Sequence, residues 1–254
     1  MRTTTLLLLV LTIWTPARLG AAADLQRWHP YAELDAAVAL AERYGRPLLF
    51  VLHDPDATEH MHNDRIAGWQ RDRRLFGAFV RVFVPVAQHR SCPLYRQIAE
   101  AGPDLGPFIP TLRFGTVDGR SLGGVRTKAD RDETEAAVRA ALEVFGGVLR
   151  ARDAERFWRE IDTARAAVAA AERDQAADAL GDALELIEAS PQHPFRAAVA
   201  ELVATVDAWA REELAQAQTI ADAVDRRRRL KELRRDHEQL PVAAAIDAAI
   251  DATR

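Results

Sequence analysis

The first half of the chain alternates between helix-like and strand-like hydrophobic patterns. Residues 31–44 place apolar side chains on one face of a helix, and Gly45 follows as a stop signal. Residues 48–53 (LLFVLH) form a continuous apolar run, which is typical of a strand buried on both faces. Residues 79–86 form a second run, rich in β-branched and aromatic side chains. These runs predict two strands, with a further helix through Trp69 between them.

The alternation continues to about residue 147. A short helix is predicted over residues 93–101, and two strands over 111–117 and 121–125 flank the hairpin-forming dipeptide Asp118-Gly119. A last helix follows over residues 130–145. This order of elements predicts an α/β fold with a mixed central sheet flanked by helices.

The second half has a helical pattern only, so we expect an all-α region. Two helices are predicted over residues 153–189, one long helix or a pair over 195–237, and a last one over 241–253. Pro194 and Pro241 each open an Ala/Val-rich helix, which suggests two related hairpins and resembles tetratricopeptide repeats. A simple helical bundle packed on the first half is the alternative interpretation.

The N-terminus has the features of a secretion signal. Arg2 precedes the apolar core 6–14, and the small residues 21–23 suit a signal peptidase. We therefore predict a signal peptide over residues 1–23 and an exported protein, periplasmic or extracellular. That core is too short to span a bilayer, and every later apolar run is interrupted by charge, so no transmembrane segment is expected after signal removal.

Composition and charge narrow the function classes. The chain has 34 basic and 38 acidic residues, a net charge of −4, which argues against a general nucleic-acid binder. A basic run begins at Arg226, but acidic residues interleave with it, as in a solvated helix face. Binding of this run to an acidic partner or to an anionic membrane surface is the alternative interpretation. The single cysteine, Cys92, excludes an intramolecular disulfide.

Several motifs resemble the thioredoxin family over residues 25–147. The segment 108–114 (FIPTLRF), followed by Asp118-Gly119, is similar to the proline-containing strand and hairpin of that family. The opening Trp28 and the stretch 45–47 (GRP) are similar to an exported bacterial branch. The resemblance implies a thioredoxin-like domain over residues 24–147 and an α-helical domain over 148–254. It also implies a cis Ile109–Pro110 bond and a strand after it that pairs with residues 48–53.

The resemblance also indicates where a functional site would lie. The residues for the family's usual chemistry are missing from those positions. The resemblance places Ala57 and His60 where thioredoxins carry their two reactive cysteines, so dithiol exchange is not expected. Ile109, Pro110 and Thr111 correspond to the segment that pairs with an extended substrate, which needs no cysteine. The leading hypothesis is thus a non-catalytic interaction or scaffold protein with a protein or peptide partner and no cofactor. The alternative is that Pro110 only shapes the fold.

Two other functions are considered. Cys92 lies beside basic residues at a predicted helix start, a setting that activates thiols, so a single-thiol redox protein or sensor is one alternative. The other alternative is a metal-binding module formed by His53, His60 and His62, because imidazole groups bind zinc and copper. Since His60 and His62 point to different faces of a helix, the prediction is that no metal site is present.

Overall fold

The structure is a computed structural model that describes residues 21–58, 60–106 and 108–253. Most of the predicted signal peptide, residues 1–20, lies outside the described residues. Ala21–Asp24 form a single helical turn, α1. Among the described helices, none has the length and apolar character needed to cross a membrane.

Five short strands form one mixed sheet. They are β1 (Trp28–His29), β2 (Leu48–His53), β3 (Val80–Pro85), β4 (Thr111–Gly115) and β5 (Ser121–Val125). Their order across the sheet is β1-β3-β2-β4-β5. β1, β2 and β3 run parallel, and β4 runs antiparallel to both β2 and β5. The predicted α/β class with a mixed sheet is confirmed.

Helices of the first half cover both faces of this sheet. They are α2 (Leu34–Tyr44), α3 (His60–Arg71), α4 (Arg73–Phe76), α5 (Pro93–Ala101) and α6 (Arg131–Phe145). Gly45 ends α2 in the left-handed conformation, at φ +55°, which glycine adopts without strain. Asp130 begins α6 with a capping box, because its carboxylate accepts from the Glu133 amide while the Glu133 carboxylate accepts from the Asp130 amide.

The central strand β2 is buried on both faces, as its unbroken apolar run predicts. Leu48 and Phe50 point to one face and pack with α2 and α5. Leu49 and Val51 point to the other face and pack with Phe76 of α4 and with α6. Each face of the sheet therefore has its own hydrophobic cluster.

The edge strand β1 was not predicted, because two residues are too few to show a period. β1 pairs with β3, and its Trp28 lies opposite Arg81. Arg81 is fully buried and donates to the Leu25 carbonyl at 3.0 Å, while its guanidinium lies 5.4 Å from the centre of the Trp28 ring. Burial, with the nearby Arg73 and Arg46, lowers the pKa of Arg81 to about 10. This arginine fastens the segment before β1 to the sheet.

The second half is entirely helical in the described residues. Its helices are α7 (Ala151–Ala170), α8 (Arg173–Glu185), α9 (Phe195–Ala198), α10 (Ala200–Gln218), α11 (Ala223–Asp236) and α12 (Ala243–Asp251). α7 and α8 pack as a hairpin that turns at Ala171, at φ +59°. The segment predicted as one helix or a pair over 195–237 consists of three helices.

The hydrophobic core continues from the sheet into the helical half. Phe157 of α7 stacks on Phe195 of α9 with ring centres 4.5 Å apart, and both belong to the cluster that includes Leu48 and Phe50. The Trp158 indole donates to the Arg43 carbonyl at 2.7 Å. The two halves are therefore joined by shared apolar packing and by directed hydrogen bonds.

His193 lies at this junction in an apolar setting. Its ring is 1% exposed and lies 4.7 Å from the Phe195 ring, centre to centre. Nδ1 accepts from the Phe195 amide, and the buried Nε2 has no partner among the described residues. Burial, and to a smaller extent the charge of Arg196, lowers the pKa of His193 to about 4.

We expect His193 to make the free energy of unfolding fall as the pH is lowered from about 6.5 to about 4. In that range the unfolded chain binds a proton at His193 and the folded chain does not. The full shift corresponds to about 3 kcal/mol, since one pKa unit is about 1.4 kcal/mol. Urea unfolding at pH 7 and at a pH near 4.5 measures the loss.

The matched variants are His193→Asn, at the buried histidine, and His60→Asn, the same substitution at a histidine that is 91% exposed. The first should lose less stability on acidification than the original protein, and the second should lose the same. Equal acid sensitivity of His193→Asn and the unchanged protein contradicts the assignment.

Candidate functional site

Three chain segments meet at one edge of the sheet. β2 and β3 are parallel and pair His53 with Pro85, so their carboxyl ends leave the sheet together. β4 runs the opposite way, and Thr111 at its start lies opposite Leu52 near the end of β2. The residues after β2, after β3 and before β4 therefore form a common surface, which we call the carboxyl edge.

The loop after β2 and the start of α3 contain the two positions that the thioredoxin resemblance assigns to cysteines. The Asp54 side chain accepts from the Asp56 amide at 3.0 Å, and the Ala57 amide donates to the Asp54 carbonyl at 3.3 Å. These contacts lead the chain into α3, whose first residue is His60. A methyl group and an imidazole occupy positions 57 and 60, and neither side chain performs thiol exchange.

The three histidines of this region have different surroundings. His60 is 91% exposed and lies 3.2 Å from the Asp64 carboxylate one turn later. His62 is buried, so the expectation that His60 and His62 point to different faces is confirmed. His53 is half-buried, and burial, with a smaller electrostatic contribution from the nearby His62, lowers its pKa. Within the described residues no group of three histidine, cysteine or acidic side chains is arranged to hold a metal ion.

Cys92 lies where the loop after β3 enters α5. It is the N-cap residue of α5, with Pro93 at the first helical position, as the sequence predicts. Its side chain is fully buried in the cluster that contains Tyr95. Burial raises the pKa of the phenol of Tyr95, which belongs to the same cluster. Because the Cys92 side chain is buried, its reaction with a disulfide of another molecule requires an opening of this part of the core.

The segment before β4 is the most distinctive part of the carboxyl edge. The Ile109–Pro110 bond is cis, and β4 pairs with the whole of β2 except His53, so both predictions are confirmed. The Thr127 hydroxyl lies 2.8 Å from the Phe108 carbonyl oxygen and 2.9 Å from that of Pro110. Between them, Ile109 makes no main-chain hydrogen bond to any described residue. Thr127 therefore contacts the carbonyls on both sides of a residue whose own main-chain groups have no partner in the part of the chain that the structure describes.

Two exposed apolar side chains lie at the same edge. Phe108 is 63% exposed, and Met61, the second residue of α3, is 83% exposed. The Lys128 ammonium lies 5.5 Å from the centre of the Phe108 ring. Exposed large apolar side chains are few in the described residues, and two of them are at this edge.

The sequence places Ile109, Pro110 and Thr111 immediately before and at the start of β4, where Ile109 is half-buried and Pro110 and Thr111 are buried. It does not indicate the contacts of Thr127 with this segment or the exposure of Phe108 and Met61. Thr127 is 17 residues from Pro110, and nothing in the local pattern links them. Phe108 and Met61 differ from core residues only by their exposure, which depends on the packing of other segments.

No protein-family model matches this chain, and no curated protein is similar to it.

We expect the thiol of Cys92 to be inert in the folded protein. The absorbance change with DTNB should be at least about 100-fold slower under native conditions than in denaturing urea, because reaction requires an opening of the core. Cys92→Ser should give no signal in either condition. Rapid reaction of the native protein would instead support the single-thiol alternative.

Proposed function

We propose that this protein is an exported, non-catalytic thioredoxin-like protein that binds an extended peptide segment of another protein at the carboxyl edge. The observation that carries the proposal is the main chain of Ile109, which has no hydrogen-bond partner among the described residues and lies beside the exposed Phe108. An added strand supplies such partners from its own backbone.

The thioredoxin-like assignment is supported by the sheet and by the place of Pro110. The sheet has parallel strands at its centre, then an antiparallel hairpin, β4 and β5, followed by α6. The cis proline immediately precedes β4, as the resemblance implies. Ala57 and His60 at the end of the β2 loop support a site without dithiol chemistry.

The peptide-binding role is supported by the chemistry of the edge. Backbone pairing is insensitive to sequence, so affinity for varied segments depends on adaptable apolar contacts beside it. Met61 is flexible and polarisable, and Phe108 offers a flat apolar ring. The Thr127 hydroxyl lies within hydrogen-bond distance of the Phe108 and Pro110 carbonyl oxygens and can share its one proton between them, whereas the Ile109 main chain has no partner among the described residues.

Binding to a bead library of random heptapeptides tests the proposal. We expect Phe108→Asp to weaken the binding of selected peptides by about tenfold, because a carboxylate is costly to desolvate at an apolar contact. The matched control is Val144→Asp, which places the same charge on another exposed apolar position, near the far end of α6. In hydrogen exchange, the Ile109 amide should gain protection when peptide binds.

Equal binding by both variants, or an Ile109 amide that exchanges at the same rate with and without peptide, contradicts the proposal. Turnover of insulin disulfides that Cys92→Ser abolishes would contradict the non-catalytic assignment.

A further inference from the structure

A second surface, remote in sequence from the carboxyl edge, lies on helix α11. This helix carries seven basic and three acidic side chains in a chain whose net charge is −4. A groove of about 640 Å³ runs along it and ends against Thr253, just after α12. Its lining includes Val224, Arg227, Lys231 and Arg235. We call it the α11 groove.

The basic side chains of α11 divide into two sets. Arg229 is within 3.2 Å of Glu213, and Arg234 is within 2.9 Å of Asp247, so these two fasten α11 to its neighbours. Arg227 and Lys231 have no carboxylate within 4 Å among the described residues. Arg227 also has a buried Nε without a hydrogen-bond partner. The groove therefore contains two cations that form no ion pair with any residue the structure describes.

The remaining charges of the groove are held loosely. Arg235 pairs only with Asp236, its neighbour in sequence, and both side chains are exposed. Exposed pairs of this kind contribute about 0–1 kcal/mol, so a ligand carboxylate can replace them. Glu232, the acidic residue of the lining, lies 3.5 Å from Arg229 and is partly neutralised there.

The spacing of the cations matches an extended chain. Arg227, Lys231 and Arg235 follow one another at four-residue intervals, so they lie along one face of α11 about 6 Å apart. In an extended peptide, alternate side chains point to the same side about 6.7 Å apart. Val224, 76% exposed, lies one turn before Arg227 and Arg228 and offers an apolar contact at one end.

We propose that the α11 groove binds an extended acidic segment of another protein, in which alternate Asp or Glu side chains pair with Arg227, Lys231 and Arg235. Guanidinium groups bind carboxylates through paired hydrogen bonds, which gives such contacts geometric selectivity. This inference does not rest on the proposed function of the carboxyl edge.

Two other polyanions fit the groove less well. Helices that bind membranes insert a broad apolar face with large side chains, whereas the exposed apolar side chain here is a single valine. Nucleic-acid binding requires a basic surface that follows many phosphates, and three aligned cations in a net acidic chain do not provide it.

Fluorescence anisotropy with defined peptides tests the inference on the full-length mature protein. The probe is labelled Leu-Glu-Ala-Glu-Ala-Glu, compared with Leu-Ala-Ala-Glu-Glu-Glu of the same charge and with the neutral Leu-Gln-Ala-Gln-Ala-Gln. We expect the alternating peptide to bind most tightly, and we expect its affinity to fall as the salt concentration is raised to about 0.15 M. Arg227→Glu with Lys231→Glu should lower its affinity at least about tenfold.

The matched control reverses two exposed cations elsewhere, Arg120→Glu with Arg139→Glu, at the same total charge, and should retain the affinity. The double variant Arg227→Gln with Lys231→Gln should lose less affinity than the charge-reversed variant. It takes the place of that variant if circular dichroism shows that the charge reversal disturbs folding. Phe108→Asp should leave acidic-peptide binding unchanged, so failure here is distinct from failure at the carboxyl edge.

The inference is overturned by three results. The first is that the anisotropy does not change at peptide concentrations up to about 1 mM. Another is equal affinity for the alternating and clustered peptides, or for the two charge-reversed variants. The third is tighter binding to phosphatidylserine vesicles or duplex DNA that depends on Arg227 and Lys231, which would assign the groove to a membrane or a nucleic acid.

Discussion

Burial of β2 on both faces is the constraint on which the rest of the structure depends. Leu48, Leu49, Phe50 and Val51 are all 0% exposed, and neighbouring residues of a strand point to opposite sides. Both sides of the sheet must therefore be covered by apolar helices. Since the chain has one cysteine, its packing is not supplemented by an internal disulfide, and this double layer has to supply the stability.

The helical half extends one of those layers. The cluster around Leu48 and Phe50 continues through α2 to Phe157 and Phe195, so the two halves share apolar surface. The two halves meet at the end of α2. A side chain at position 45 would clash with the ring of His193, so the close contact there requires Gly45. The side chains that line the α11 groove, and the exposed Phe108 of the carboxyl edge, belong to neither hydrophobic cluster.

The two parts of the carboxyl edge come from different elements. Positions 57 and 60 belong to the loop after β2 and the start of α3, whereas Ile109 belongs to the segment before β4. The contacts that Thr127 makes with Phe108 and Pro110 involve neither Ala57 nor His60. In the function that we propose, peptide docking at Ile109 therefore does not depend on reactive groups at positions 57 and 60.

The sequence by itself determined most strands and helices of the first half, because periods of 2 and 3.6 residues are local properties. It also identified the Ile109–Pro110 segment, through a short motif whose place among the elements could be checked. Tertiary structure alone decided that Cys92 is buried, that His62 turns inward while His60 stays exposed, and that Thr127 holds Phe108 and Pro110. These features depend on contacts between distant segments, such as Trp158 with Arg43 across 115 residues. Residue patterns within one element do not encode which other element covers it, so exposure and partnership arise only when the layers close.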